Sequence, residues 1–288
     1  MSEILDFINS GIRVFDGATG SLLFQFGFNG EGCPEKVDKE LIKQVHKTYI
    51  DAGSDFVSTN TFGANSVKLS KYGLGEHVRE INIENVQIAK NACPGAKYYV
   101  AGDIGPTGEL IEPYGSFTEE LFVEVFAEQA EALEEGGADI IIIETMSAVE
   151  EIVSAIKAIK RYTKLPVIAS MTFNETPNGF RTMMGVDVKT AVESCEKAGA
   201  DVVGSNCSLV PEQIVRLVKE IKKYSTKPIL VQPNAGAPKL VSGKTVYDPI
   251  ENLEETIKAI VEAGAGLIGG CCGTDGNYIK TVAKVCRK

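Results

Sequence analysis

Four times along the chain a helix-like stretch ends in glycine, passes a small residue and usually an aspartate, and runs into apolar sequence. The copies are AGSDF at 52–56, GGADI at 136–140, AGADV at 198–202 and AGAGL at 263–267. Glycine just past a helix can take the left-handed conformation that ends it, so each copy predicts a helix stop followed at once by a strand. TKLPVIAS (163–170) and TKPILVQP (226–233) start two more strands, with proline near the strand start, where its missing N–H is tolerated. In all, eight apolar runs emerge, near 12–17, 55–60, 98–104, 139–144, 166–173, 201–207, 228–234 and 267–272. Nearly every gap can hold a helix. In TEELFVEVFAEQAEALEEGG, Leu121, Phe122, Val125, Phe126, Ala130 and Leu133 fall on one face with charges opposite, after a Ser116/Glu119 capping-box spacing. DIIIIE does not alternate, so both its faces should be buried, as in a parallel sheet covered by helices. Eight strand–helix units without a break in composition predict an α/β fold: a single (β/α)8 (TIM) barrel over residues 1–288 with no second domain. A doubly wound sheet is the alternative.

The connections are lopsided. Helix-to-strand links are short, whereas the strand-to-helix loops 104–117, 174–186 and 234–248 are long, and in such a barrel they stand at the C-terminal face, where sites are built. A net charge of −10 excludes a nucleic-acid backbone as partner, because no basic stripe offsets phosphate charge. No apolar run reaches membrane-spanning length, and the start, MSEILDFINSGIRVFDG, does not read as a secretory signal. A cytoplasmic protein without membrane association is the expectation. Seven cysteines, an odd number, in that setting do not predict a disulfide framework.

Cys271 and Cys272 end the eighth run inside GLIGGCCGTDG, and Cys207 ends the sixth. In a barrel these strand ends open on one rim, so three thiolates can converge. Adjacent cysteines in extended chain point apart, so both reach one ion only if the chain kinks, which Gly269, Gly270 and Gly273 permit through unusual backbone angles and close approach. Three cysteines without a fourth suit a zinc ion with one open position. Three thiolates oppose acidification of a zinc-bound water, and His46 and His77 read as helix-surface residues rather than general bases. A substrate thiol fits better: with an ordinary pKa of ~8.5 it is only about 3% ionised at neutral pH, and zinc deprotonates it. Transfer of an alkyl group to that sulfur follows, and the thioether product is a poor ligand. Cys33, Cys93, Cys195 and Cys286 read as small buried hydrophobes. The competing reading is a phosphate cradle made by the glycine-rich backbone before the last helix, near Thr274, as in a phosphate-binding barrel lyase.

At these residues the sequence resembles the zinc-dependent homocysteine S-methyltransferase family, including the homocysteine-binding module at the N-terminus of cobalamin-dependent methionine synthase. The stretches are DGATG (16–20), TNTFGAN (59–65), GDIGPTGE (102–109), ET (144–145), SNC (205–207), QPNAG (232–236) and GGCCGT (269–274). The resemblance implies Cys207, Cys271 and Cys272 as zinc ligands and Asn234 near the metal, at the open position without substrate. It also implies Asp16 and Glu144 as holders of the homocysteine ammonium, which two carboxylates on one rim suit physically. Backbone N–H groups around Gly17, Ala18 and Thr19 are positioned to take the carboxylate. Thr59 and Asn60 are further candidates at a strand end. The chain departs from the family in FRTMMGV (180–186), where Met183 and Met184 read as core rather than as donor-side lining. The methyl donor is expected to be methylcobalamin or another corrinoid from a separate corrinoid protein. S-methylmethionine, S-adenosylmethionine and betaine are alternatives, as is a non-enzymatic zinc- or thiol-binding module.

Overall fold

Gly53, Gly137, Gly199 and Gly264 all have positive φ, 94° to 113°, and each ends a helix: Lys39–Ala52, Glu119–Gly136, Val188–Ala198 and Leu253–Ala263. The recurrent sequence pattern is therefore a recurrent backbone device, a left-handed residue that turns the chain into the next strand. The computed structural model describes residues 3–236, 238–241, 244–247 and 250–287. Of the long loop 234–248, residues 237, 242, 243 and 248 lie outside the described residues.

The eight strands are β1 (Arg13–Val14), β2 (Phe56–Ser58), β3 (Tyr99–Ile104), β4 (Ile140–Met146), β5 (Val167–Met171), β6 (Val202–Asn206), β7 (Ile229–Gln232) and β8 (Leu267–Ile268). They form one sheet of parallel pairs in the order β1-β8-β7-β6-β5-β4-β3-β2, which rules out the doubly wound alternative. Two aspartates close the seam between β1 and β2. Asp55 gives its N–H to Val14 O and accepts the Val14 N–H on its carboxylate, both at 2.8 Å. Asp16 Oδ2 accepts the Ser58 N–H at 2.6 Å. Side chains thus stand in for a short ladder, and the result is an α/β TIM-type barrel.

Inside the barrel, Phe56, Ala101, Ile142, Ile168 and Leu230 belong to one buried apolar cluster, plugged from below by Ile4 and Ile8 of the helix Glu3–Asn9. Side chains on a strand repeat every two residues. Two positions further along those strands stand Ser58, Asp103, Glu144, Ser170 and Gln232. The interior changes from hydrocarbon to polar within one pleat, and that change places the site at the strands' C-terminal ends. Ile141 and Ile143 face the helices while Ile140 and Ile142 face the axis, so β4 is buried on both sides.

Several local expectations are corrected. The cap of the Glu119–Gly136 helix is Thr118, whose side chain accepts from Leu121 N, not Ser116, and Leu121 itself is exposed. His77 is exposed beside Glu80, but His46 is fully buried, because its helix packs that face inward. Met183 and Met184 are 82% and 51% exposed rather than core, since they lie in a turn after the short hairpin Asn174–Thr176/Gly179–Arg181. No helix among the described residues is long and apolar enough to cross a membrane.

Candidate functional site

β7 lies between β6 and β8, and the chain just past its end fastens both cysteine-bearing segments. On one side Cys207 N donates to Gln232 O (3.0 Å) and Asn234 N to Leu209 O (2.9 Å). On the other, Cys271 N donates to Pro233 O (2.8 Å) and Ala235 N to Cys272 O (2.9 Å). The three sulfurs consequently lie within 4.8 Å of one another, with Cys207 and Cys272 3.7 Å apart. Tetrahedral zinc with Zn–S of about 2.3 Å separates its sulfurs by about 3.8 Å. On the β6 side the chain turns sharply at Cys207 and Ser208, with φ of 62° and 53°, values that are uncommon outside glycine and cluster at functional sites. Gly273 has φ of 81°, while Gly269 and Gly270 serve close approach. A Cβ at 269 would sit 2.6 Å from Asp16 O, and one at 270 would sit 2.5 Å from Thr274 Oγ1.

The donor set suits a soft divalent cation. Hydrogen bonding with the Cys271 and Cys272 thiols holds Cys207 well below the usual thiol range, while those two are pushed up. Asn234 is 6% exposed; its side chain also donates to Cys207, and its Oδ1 is buried without a hydrogen-bond partner. An orphaned amide oxygen beside three thiols is a fourth candidate ligand. Tyr247, which no sequence motif singles out, gives its hydroxyl to Cys272, and burial together with the nearby sulfurs pushes its phenol up to about 12.

Next to the sulfurs, acids crowd together. Burial pushes the Asp16 carboxyl up to about 7 despite the Ser58 N–H and hydroxyl it accepts. Glu144 is pushed up to about 8, first by burial, then by Asp16 and Cys207. Asp103 is raised well above the carboxylate range by burial, Glu144, Asp16 and Glu35, and its Oδ1 is buried without a partner. The structure therefore adds Asp103 to the expected pair; its sequence signal was the aspartate of GDIGPTGE at a strand end. Three acids that cannot all ionise cheaply favour an incoming cation.

The remaining expected residues are tied into the frame. Thr59 Oγ1 lies 2.6 Å from Thr61 Oγ1 and accepts the Asp103 N–H, and Asn60 donates to Pro34 O. Gly17, Ala18 and Thr19 open the helix Thr19–Gln25. Ala18 N donates to Thr274 Oγ1, which in turn donates to Cys271 O at 2.7 Å. A Cβ on Gly17 would meet that hydroxyl at 2.7 Å, so glycine lets the β1 turn sit against the cysteine loop. The phosphate-cradle reading fails on donors. The N–H groups of Gly270, Cys271, Gly273 and Thr274 are all spent on protein acceptors, and the Asp275 carboxylate caps the last helix.

A family model described as homocysteine S-methyltransferase matches residues 13–286. Methionine synthase of Mycobacterium tuberculosis is 30% identical over 303 aligned residues, covering 98% of this chain and 25% of that protein. Methionine synthase of Mycobacterium leprae is 29% identical over the same coverage. The chain spans about a quarter of the length of these curated relatives. Among solved structures, the homocysteine methyltransferase MmuM from Escherichia coli, in its metallated form, superposes with a TM-score of 0.81 at 23% identity, covering 97% of this chain and 98% of that one. That likeness bears on the fold.

Proposed function

The chain belongs to the homocysteine S-methyltransferase family, and from that premise we propose that it methylates the sulfur of homocysteine to give methionine, with zinc held by Cys207, Cys271 and Cys272. The observation that carries the reading is the set of three sulfurs within 4.8 Å of one another beside a raised carboxyl cluster. Zinc supplies one thing when bound: it lets a thiol that is only about 3% ionised at neutral pH enter as thiolate.

The chain's own residues do the rest. Glu144, with Asp16 and Asp103, takes the ammonium, whose positive charge favours ionisation of the acids around it. Backbone N–H groups of the Gly17–Ala18–Thr19 turn take the carboxylate, chiefly those of Gly17 and Thr19, since the Ala18 N–H is held by Thr274. Asn234 holds the position that the substrate sulfur takes over. Thr59 and Asn60 brace the end of β2. The sulfur loses its proton and gains the methyl group, and the donor leaves without it. On this reading the donor is a methyl-corrinoid presented by a separate corrinoid protein or by further chain, in keeping with the likeness to methionine synthases. S-methylmethionine, S-adenosylmethionine and betaine are the other arms of the test, and the setting is the cytoplasm.

The experiment is a donor panel with homocysteine, run on zinc-loaded protein, zinc-stripped protein and Cys207→Ser. Methionine should form only with the zinc-loaded protein, and Cys207→Ser should lose both zinc and turnover. Full transfer by zinc-free protein overturns the reading. Uptake of zinc and homocysteine without thioether from any donor assigns a binding module instead.

A further inference from the structure

Thr145, the residue after Glu144, has φ of 60°. For a β-branched side chain that is an outlier, and it persists only where the surroundings hold it. The β4–β5 register shifts between Ile143 and Met146, so the strand is broken where the carboxylate must be aimed. What holds it is the fully buried Asn206, the residue before Cys207. Asn206 Oδ1 accepts the Thr145 N–H and the Ser170 hydroxyl, both at 2.8 Å. Its Nδ2 donates to Thr145 Oγ1 at 2.7 Å and also faces Glu144 Oε2 at 3.4 Å and Cys271 Sγ at 3.9 Å. The amide cannot turn over, because its NH2 would then confront the Thr145 N–H.

One side chain thus grips both sides of Thr145, touches the carboxylate proposed for the ammonium, and lies against a metal-ligating sulfur. We propose that the Asn206–Thr145 clamp is a ruler: it fixes the distance from Glu144 to the thiol position and so selects amino-acid thiols by the number of methylenes between amine and sulfur. Homocysteine has two methylenes between its α-carbon and sulfur, and cysteine has one. Both clamp residues act through Glu144, so they are positioning residues. The inference rests on the homocysteine reading of the site and goes beyond it in naming what sets substrate length.

The test uses the cobalt(II)-loaded protein and follows the sulfur-to-cobalt absorption during titration with homocysteine, cysteine and 4-mercaptobutyrate, which is homocysteine without its amine. Wild type should prefer homocysteine over cysteine by roughly tenfold or more, the usual worth of one methylene in a fitted pocket. Thr145→Gly adopts φ of 60° without strain but lacks the hydroxyl. It should bind homocysteine about tenfold more weakly and bring the two amino acids toward equal affinity, while 4-mercaptobutyrate changes by less than about twofold. Thr145→Ser, which keeps the hydroxyl, should restore the preference; Asn206→Asp, which loses the N–H donors, should not keep it. An unchanged homocysteine-to-cysteine ratio in Thr145→Gly, or equal weakening of all three thiols, overturns the ruler while leaving the functional reading intact. No absorption change with homocysteine in the wild type overturns both.

Discussion

Glu144→Gln should make the protein more stable and a poorer binder, with a stability gain that depends on pH in a definite way. Glu144 is raised from 4.5 to about 8 by burial, by Asp16 and by Cys207. The folded chain therefore keeps a proton that the unfolded chain releases above pH 4.5, and stability falls as pH rises through that window. Each pH unit inside the window costs about 1.36 kcal/mol, so the loss from this group is about 1 kcal/mol at pH 5, about 3 at pH 7 and nearly 5 above pH 8, as an upper bound. Glutamine keeps the shape and has no proton to lose. Urea unfolding of metal-free wild type and variant at pH 5, 7 and 8.5 should show curves that separate with rising pH, the variant ahead by a few kcal/mol at the top of the range. Homocysteine affinity of the metal-loaded variant should fall at least tenfold, because a buried ammonium loses a charged partner. A stability difference that is flat across pH would refute the argument, since only a titrating carboxyl produces the slope.

Other perturbations follow from the same contacts. Thr274→Val keeps the volume but strands the Ala18 N–H, while Cys271 O loses the hydroxyl and keeps only the residue-274 N–H, so unfolding should cost about 1–3 kcal/mol less, and zinc competition with a chelator should show weaker binding. His46, buried with both ring nitrogens unpartnered and pushed down to about 4, stays neutral in the fold while the unfolded chain protonates below 6.5. Stability should thus drop by up to about 3 kcal/mol between pH 6.5 and 4, and His46→Phe should flatten that part of the urea-stability profile. Tyr247→Phe removes the hydroxyl that Cys272 accepts, so the pH midpoint for displacement of zinc by protons should rise, as read by a zinc-sensitive dye.

The barrel was legible because its signals are local. Glycine followed by aspartate and an apolar run reports a helix stop and a strand start within a few residues, and all eight strands lie within or beside the runs read from the chain. The convergence of the three cysteines was legible for a related reason: in a parallel barrel every strand ends on the same rim, so topology brings positions 207 and 271 together without knowledge of any side chain. Met183 and His46 misled, because residue type does not say which way a turn or helix face points.

What sequence by itself determined here is the ring of strand–helix units, the rim on which chemistry stands and the sulfur atoms that meet there. Only the tertiary structure decided how that rim is aimed. The welding of both cysteine segments to residues 232–235, the aspartate-closed seam, the raised Asp103 and the Asn206 grip on Thr145 all join residues distant in the chain. Such contacts leave no periodicity to read, since they depend on ångström-scale distances set by packing around the whole barrel.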